Sequence, residues 1–152
     1  MNIKNIFQNH LIWVNLKIGK NMKIETEKLT QNQIKNLSPL VLAFVGDGVH
    51  TIFVRDFIVK SKLEKLNDYN KDCSHFCKAK TQSLVLDKIE SSLSEEEKDI
   101  VRRTRNAKTN NIAKNSNLTE YKKATCFEAL VGYLYLSGQT ERMNEILDIS
   151  VQ

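Results

Sequence analysis

Leu40-Val41-Leu42-Ala43-Phe44-Val45-Gly46-Asp47-Gly48-Val49 is the stretch on which the fold turns. Ser38-Pro39 precedes it, an N-cap residue followed by proline at the first helical position, where the missing N–H costs nothing. Read as a helix, the apolar run extends to about Ser61. Read as strands, residues 41–45 and 49–54 are rich in β-branched and aromatic side chains, and Gly46-Asp47 becomes a hairpin turn. Asp47 is then only a turn residue. A half-buried hairpin should alternate, and these runs do not alternate cleanly. Pattern alone leaves both readings open.

A second apolar stretch, Cys126-Phe127-Glu128-Ala129-Leu130-Val131-Gly132-Tyr133-Leu134-Tyr135-Leu136, also carries one lone acid. Burying an ionised carboxylate is costly unless a cation or hydrogen bonds compensate it. Asp47 and Glu128 therefore call for a metal or a basic partner. Arg55 and Lys122 are the candidate partners; Arg55 lies eight residues after Asp47, about 80° round a helix.

The remaining segments read as helices. Residues 68–80 and 81–91 form one or two, anchored by Leu84, Leu86 and Ile89. Ser94-Glu95-Glu96-Glu97 is a capping box whose acids suit the helix dipole, and that helix runs to about Ala107. Residues 109–118 are a polar, asparagine-rich loop. A long helix follows from about Thr119 to Ser137, stopped by Gly138. Thr140 is expected to cap a last short helix carrying Met143, Ile146 and Leu147. No repeat or linker divides the chain, so the expected class is all-α.

The 152 residues suit one domain with a real core, and five glycines with one proline are too few for a loop-rich sandwich. Three cysteines without a Cys-x-x-Cys pair fit a reducing cytoplasm. No apolar run approaches the roughly 20 residues of a membrane helix, so no membrane partner is expected. Residues 1–21 hold lysines and no acid and lack the pattern of a signal peptide. They read as an extension, disordered or carried from an upstream start, with the domain spanning 22–152. The net charge is +5, yet residues 98–123 alone carry eight basic residues against Asp99 and Glu120. A focused patch is a better nucleic-acid signal than a basic average.

Phe44-Val45-Gly46-Asp47-Gly48-Val49 resembles the signature helix of ribonuclease III nuclease domains. Ala124-Thr125-Cys126-Phe127-Glu128-Ala129-Leu130-Val131-Gly132-Tyr133-Leu134 resembles their second acidic helix. The similarity is to the short form, Mini-ribonuclease III, which lacks a double-stranded-RNA-binding domain, and none is expected in this chain. Lys78-Ala79-Lys80-Thr81-Gln82 and Arg102-Arg103-Thr104-Arg105-Asn106-Ala107-Lys108, continuing to Asn115, fit the same group. The resemblance covers residues 37–149 with order and spacing preserved. It implies that Asp47 is helical and that the fold is a ribonuclease III-like endonuclease-domain helical bundle. It also implies a homodimer with two active sites in one cleft. The work implied is maturation of large-subunit (23S) precursor ribosomal RNA in a bacterial cytoplasm or related organelle. Leu40 and Thr125 stand where full-length relatives carry two more acids, a reduced set the short form shares. Thr104 replaces a usual glycine and Ala113 a usual proline, which puts loop shape and cleavage preference in question.

Phosphodiester hydrolysis needs a water nucleophile and neutralised phosphoryl charge. Mg²⁺ (or Mn²⁺) supplies both while needing only one or two protein carboxylates. Asp47 and Glu128 are thus expected as catalytic and metal-holding residues of an endoribonuclease, with Gly46, Gly48 and Gly132 letting helices or a second subunit approach. Arg102, Arg105, Lys108, Lys114 and Lys78 are expected to contact RNA phosphate. A cationic loop without an aromatic platform suits double-stranded RNA. Against this, Arg103 can pair with Asp99, and Lys78 and Lys80 can be plain surface charge. Cys73-x-His75-x-Cys77 lacks a fourth zinc ligand, and its thiols read as buried. His50 reads as a core histidine ahead of a supporting group at the site. The rival function is a non-catalytic duplex-RNA-binding or ribosome-associated module on the same fold. A helical DNA-binding protein lacks a clear recognition helix.

Overall fold

Ser38 settles the opening ambiguity. In the computed structural model, which describes residues 28–108 and 117–152, its Oγ accepts from the Leu40 N–H at 3.3 Å and Pro39 begins one unbroken helix. The helices are α1 (Gln31–Asn36), α2 (Pro39–Ser61), α3 (Leu66–Cys77), α4 (Ala79–Ile89), α5 (Glu95–Arg105), α6 (Leu118–Leu136) and α7 (Thr140–Ile149). A 3₁₀ turn, Glu90–Ser92, follows α4. Among the described residues all regular structure is helical, so the all-α expectation holds and the hairpin falls. No helix among these residues is long and apolar enough to cross a membrane. Lys114, Ala113, the loop at 109–116 and the extension at 1–21 lie outside the described residues.

Helix α6 is the hub. Residues 124–134 are apolar except for Thr125 and Glu128, and all but Glu128 are buried. A helix apolar all round must be covered all round, and α2, α4, α5 and α7 cover it while α3 packs on α2. Lys123 reaches Asp87 of α4 at 2.7 Å.

Local chemistry sets the ends. Ser94 and Glu97 close the expected capping box: the Glu97 N–H donates to Ser94 Oγ at 3.2 Å, and the Ser94 N–H donates to Glu97 Oε2 at 2.8 Å. The helix of residues 68–91 divides at Lys78, whose extended backbone ends α3 and starts α4. Thr81 Oγ1 donates across the break to the His75 carbonyl at 2.7 Å. At the far end of α6, Gly138 adopts φ +68. The Gln139 N–H then reaches back to Leu134 O at 2.9 Å and the Gly138 N–H to Tyr135 O at 3.1 Å, a Schellman closure.

That closure corrects the cap expected at Thr140. Gln139 is used both to end α6 and to start α7, so Thr140 is already the first helical residue, and Gln139 makes no side-chain cap bond. A second correction concerns Arg103. It donates to the carbonyls of Lys35 and Leu37 at 3.2 and 3.3 Å, satisfying the exposed end of α1. Asp99 pairs with Arg102 instead.

Candidate active site

Gly46 and Gly132 create the site by letting α2 and α6 cross backbone on backbone. A Cβ at residue 46 would lie 1.7 Å from the Glu128 carbonyl oxygen, and one at residue 132 would lie 2.0 Å from Leu42 O. Only glycine fits at either position. Gly48 is different: nothing of its own chain lies within 4 Å of a Cβ there, so it eases no helix contact within the chain.

The crossing brings the two acids into electrostatic contact, in unequal surroundings. Glu128 is mostly buried, and its pKa is pushed up from 4.5 to about 7, first by burial and then by the negative charge of Asp47. Asp47 itself is exposed, on the outward side of α2. The expectation of two acids in an apolar interior therefore holds for Glu128 and is corrected for Asp47. Every buried position of α2 faces inward, but Asp47 follows Gly46 by one step and turns away. Neither acid has a cation within ion-pair distance among the described residues, so Arg55 and Lys122 are not the compensating partners.

Gln82 supplies what compensation there is. It is 1% exposed, and its amide hydrogen-bonds the Glu128 carboxylate, drawing its pKa part of the way back down. Gln82 lies within the segment 78–82 singled out above but received no role. Its signal was a glutamine on the buried face that carries Val85, Leu86 and Ile89. His50 is fully buried, as expected of a core histidine, and burial lowers its pKa to about 4.

One exposed and one mostly buried carboxylate, repelling each other with no cation within ion-pair distance among the described residues, suit a hard divalent ion that keeps several waters. The positions of the missing acids do not compete. Thr125 Oγ1 donates to the Tyr121 carbonyl at 3.0 Å, and Leu40 is half-buried. Among the described residues no group of three or more His, Cys, Asp or Glu converges as a closed metal cage. Cys73 and Cys77 hold their sulfurs 3.9 Å apart, while the His75 ring turns to Lys78 Nζ at 3.4 Å. Both thiols are half-buried. The Cys77 thiol is pushed up to about 12, by burial first, then Cys73, and last by Asp47, so it stays protonated.

The basic side chains do not form one cluster. Lys78 is exposed at the start of α4. Arg105 lies past the other end of α4, 3.7 Å from Glu90 and against Cys126, so about 16 Å of helix separates the two. Arg102 is exposed but paired with Asp99, and Lys108 is exposed. Thr104, which stands where the resembled family usually carries glycine, is buried with Oγ1 donating to the Ile100 carbonyl at 2.8 Å. It continues α5 without a break.

A helical bundle with an acid pair at a glycine-mediated crossing and cations at both ends of the neighbouring helix is the frame of a helical endonuclease domain. The Ribonuclease III domain family matches residues 40–139. A Mini-ribonuclease 3 of Thermoanaerobacter sp. (strain X514) is 49% identical over 84% of this chain and 89% of that protein. The Brevibacillus brevis Mini-ribonuclease 3 is 44% identical, over 82% of this chain and 92% of that protein. A crystal structure of a Fusobacterium nucleatum protein superposes with a TM-score of 0.72 at 34% identity, covering 78% of this chain and 95% of that one. The chain belongs to the ribonuclease III family and is an endoribonuclease of that type.

Proposed function

We propose that residues 22–152 form the catalytic domain of an endoribonuclease that cleaves double-stranded RNA, with Asp47 and Glu128 as its metal-holding catalytic pair. The observation that carries this reading is the Gly46–Gly132 crossing, which sets an exposed carboxylate beside a desolvated one, with no cation within ion-pair distance of either among the described residues. Asp47 and Glu128 would hold Mg²⁺ (or Mn²⁺), which would supply charge neutralisation and an activated water for phosphodiester attack. Glu128 must give up its proton to act as a ligand, and the Gln82 amide favours the charged form. Asp47, on the open side, faces the direction from which a bulky substrate can approach.

Lys78 at one end of α4 and Arg105 and Lys108 at the other suit phosphates spaced along a duplex, read by shape and charge. In the same reading Arg102 contacts phosphate as well, and Lys114, outside the described residues, keeps the RNA contact that the sequence assigns to it. Helix α2 supports a homodimer. Its outward side exposes Val41 (44%), Phe44 (81%) and Ile52 (45%) beside Asp47 and Gly48, an apolar strip that water alone does not favour. Two such chains would place one acid pair against each strand. In this reading the substrate is precursor 23S ribosomal RNA and the place of work the cytoplasm, as the family resemblance of the sequence implies.

Cleavage of a duplex RNA in Mg²⁺ tests the pair directly. Asp47→Asn and Glu128→Gln should each bind the duplex like the parent yet fail to cut it. Parent-like cleavage by either variant refutes the assignment.

A further inference from the structure

Behind Glu128 runs a chain of buried polar groups whose hydrogen-bond directions can be fixed from its far end. Ser150, the C-cap of α7, is 4% exposed, and its Oγ–H donates to the Leu147 carbonyl at 2.6 Å. With its proton committed, Ser150 Oγ can only accept from His50 Nε2, 3.2 Å away. His50 is therefore protonated on Nε2 and bare on Nδ1. The bare nitrogen accepts from Gln82 Nε2 at 3.3 Å. That amide nitrogen has one more hydrogen, and the Glu128 carboxylate is the group within its reach.

The imidazole also stands edge-on to Phe127, the neighbour of Glu128, with ring centroids 5.0 Å apart. One ring thus ties together α2, α4, α6 and the end of α7. A glutamine amide can turn over and present oxygen instead of nitrogen; here His50 Nδ1 admits only the nitrogen. An oxygen turned towards Glu128 would repel the carboxylate that the amide nitrogen attracts.

We propose that Gln82 is a positioning residue, oriented through His50 and Ser150, that holds the Glu128 carboxylate ready for its metal. This rests on the reading of Glu128 as a metal ligand. Outer partners that orient a metal-binding carboxylate usually matter almost as much as the ligand itself. The burial that keeps His50 neutral at working pH also keeps its tautomer, and so the direction of the whole chain, constant.

Mn²⁺ binding to the full chain without RNA, followed by electron paramagnetic resonance, tests the proposal, with metal-free duplex binding and thermal melting measured alongside. Gln82→Leu should weaken Mn²⁺ binding about 10–100-fold while leaving duplex affinity unchanged. Two His50 variants guard against a general packing effect. His50→Asn places an acceptor oxygen near the former Nδ1 and should retain most of the Mn²⁺ affinity, whereas His50→Leu should lose it as Gln82→Leu does. Equal losses in the Asn and Leu variants would overturn the proposal. So would parent-like Mn²⁺ binding by Gln82→Leu in conditions where Glu128→Gln has lost it. Parent-like binding by Glu128→Gln would instead remove the metal reading, and the proposal with it.

Discussion

Gly46→Ala is the substitution that most directly tests whether the helix crossing makes the site. The added Cβ would fall 1.7 Å from Glu128 O and 2.7 Å from Gly132 N. Both are backbone atoms, so no rotamer change relieves the clash. Reaching an ordinary contact of 3.4 Å requires α2 and α6 to part locally by about 1.7 Å. Overpacking of this kind costs about 1–3 kcal/mol where side chains can yield, and more against backbone. Alanine's better helix propensity returns only about 1 kcal/mol. With about 3–4 kcal/mol for a clash against backbone, a net loss of about 2–3 kcal/mol is expected, a large part of the roughly 5–15 kcal/mol that holds a domain. Urea denaturation of the parent, Gly46→Ala and Gly48→Ala measures it, with the midpoint compared at constant slope. Gly48→Ala meets open space within the chain and should gain about 0.5–1 kcal/mol. The same displacement separates the backbone carrying Asp47 from that carrying Glu128. Folded Gly46→Ala should therefore also lose Mn²⁺ affinity, while Gly48→Ala keeps it. Parent-like stability and metal affinity in Gly46→Ala would refute the reasoning.

Three further outcomes are expected. Arg105→Ala should weaken duplex binding and reduce the slope of log affinity against log salt by about 1; an unaltered slope would remove Arg105 from the contact surface. In metal-free protein, two buried groups make stability depend on pH with opposite signs. The raised pKa of Glu128, 4.5 to about 7, contributes stability that is present below 4.5 and lost as pH rises through 7. The lowered pKa of His50, 6.5 to about 4, contributes stability that is present above 6.5 and lost as pH falls through 4. Glu128→Gln removes the first effect, so its urea midpoint should fall more steeply than the parent's between pH 6.5 and 4; coincident profiles would contradict this. Finally, Phe44→Glu alters a side chain that is 81% exposed, so it should leave chain folding intact yet shift sedimentation from dimer to monomer. An unchanged mass would place any dimer interface elsewhere.

Apart from the cap expected at Thr140, the fold was legible where a residue acts on its own neighbours. Ser38-Pro39, the Ser94–Glu97 box and Gly138 each end or begin a helix through bonds to backbone within a few positions, and all three stand where the sequence puts them. Helix α2 was ambiguous for a physical reason. Leu42, Gly46, Val49 and Phe53 face α6, but Val41, Phe44, Ile52 and Val59 are apolar and exposed on the other side. A helix that is apolar on both faces shows neither a period of 2 nor one of 3.6. Arg103 misled through tertiary context. The i, i+4 partner at Asp99 was available, but two carbonyls at the end of α1 claimed the guanidinium.

The candidate site was legible by residue type and not by environment. Both carboxylates stood out as lone acids in apolar runs, yet sequence assigned them the same burial, and they differ. Glu128 is held where α6 is covered by its neighbours, whereas Asp47 sits one residue beyond Gly46, and a single residue of rotation, about 100°, carries a side chain from the packed side of a helix towards solvent. That offset has a chemical consequence. Two equally buried acids would share a proton and resist a metal; two equally exposed ones would bind it weakly, as isolated carboxylates in water do. One desolvated acid, raised to about 7 by its burial and by the other's charge, beside one that faces solvent leaves an electrostatic demand with an open approach to it. Gln82 escaped notice because its task depends on His50 and Ser150, 32 residues before and 68 after it. No local pattern can join residues that meet only once α2, α4 and α7 have packed round α6.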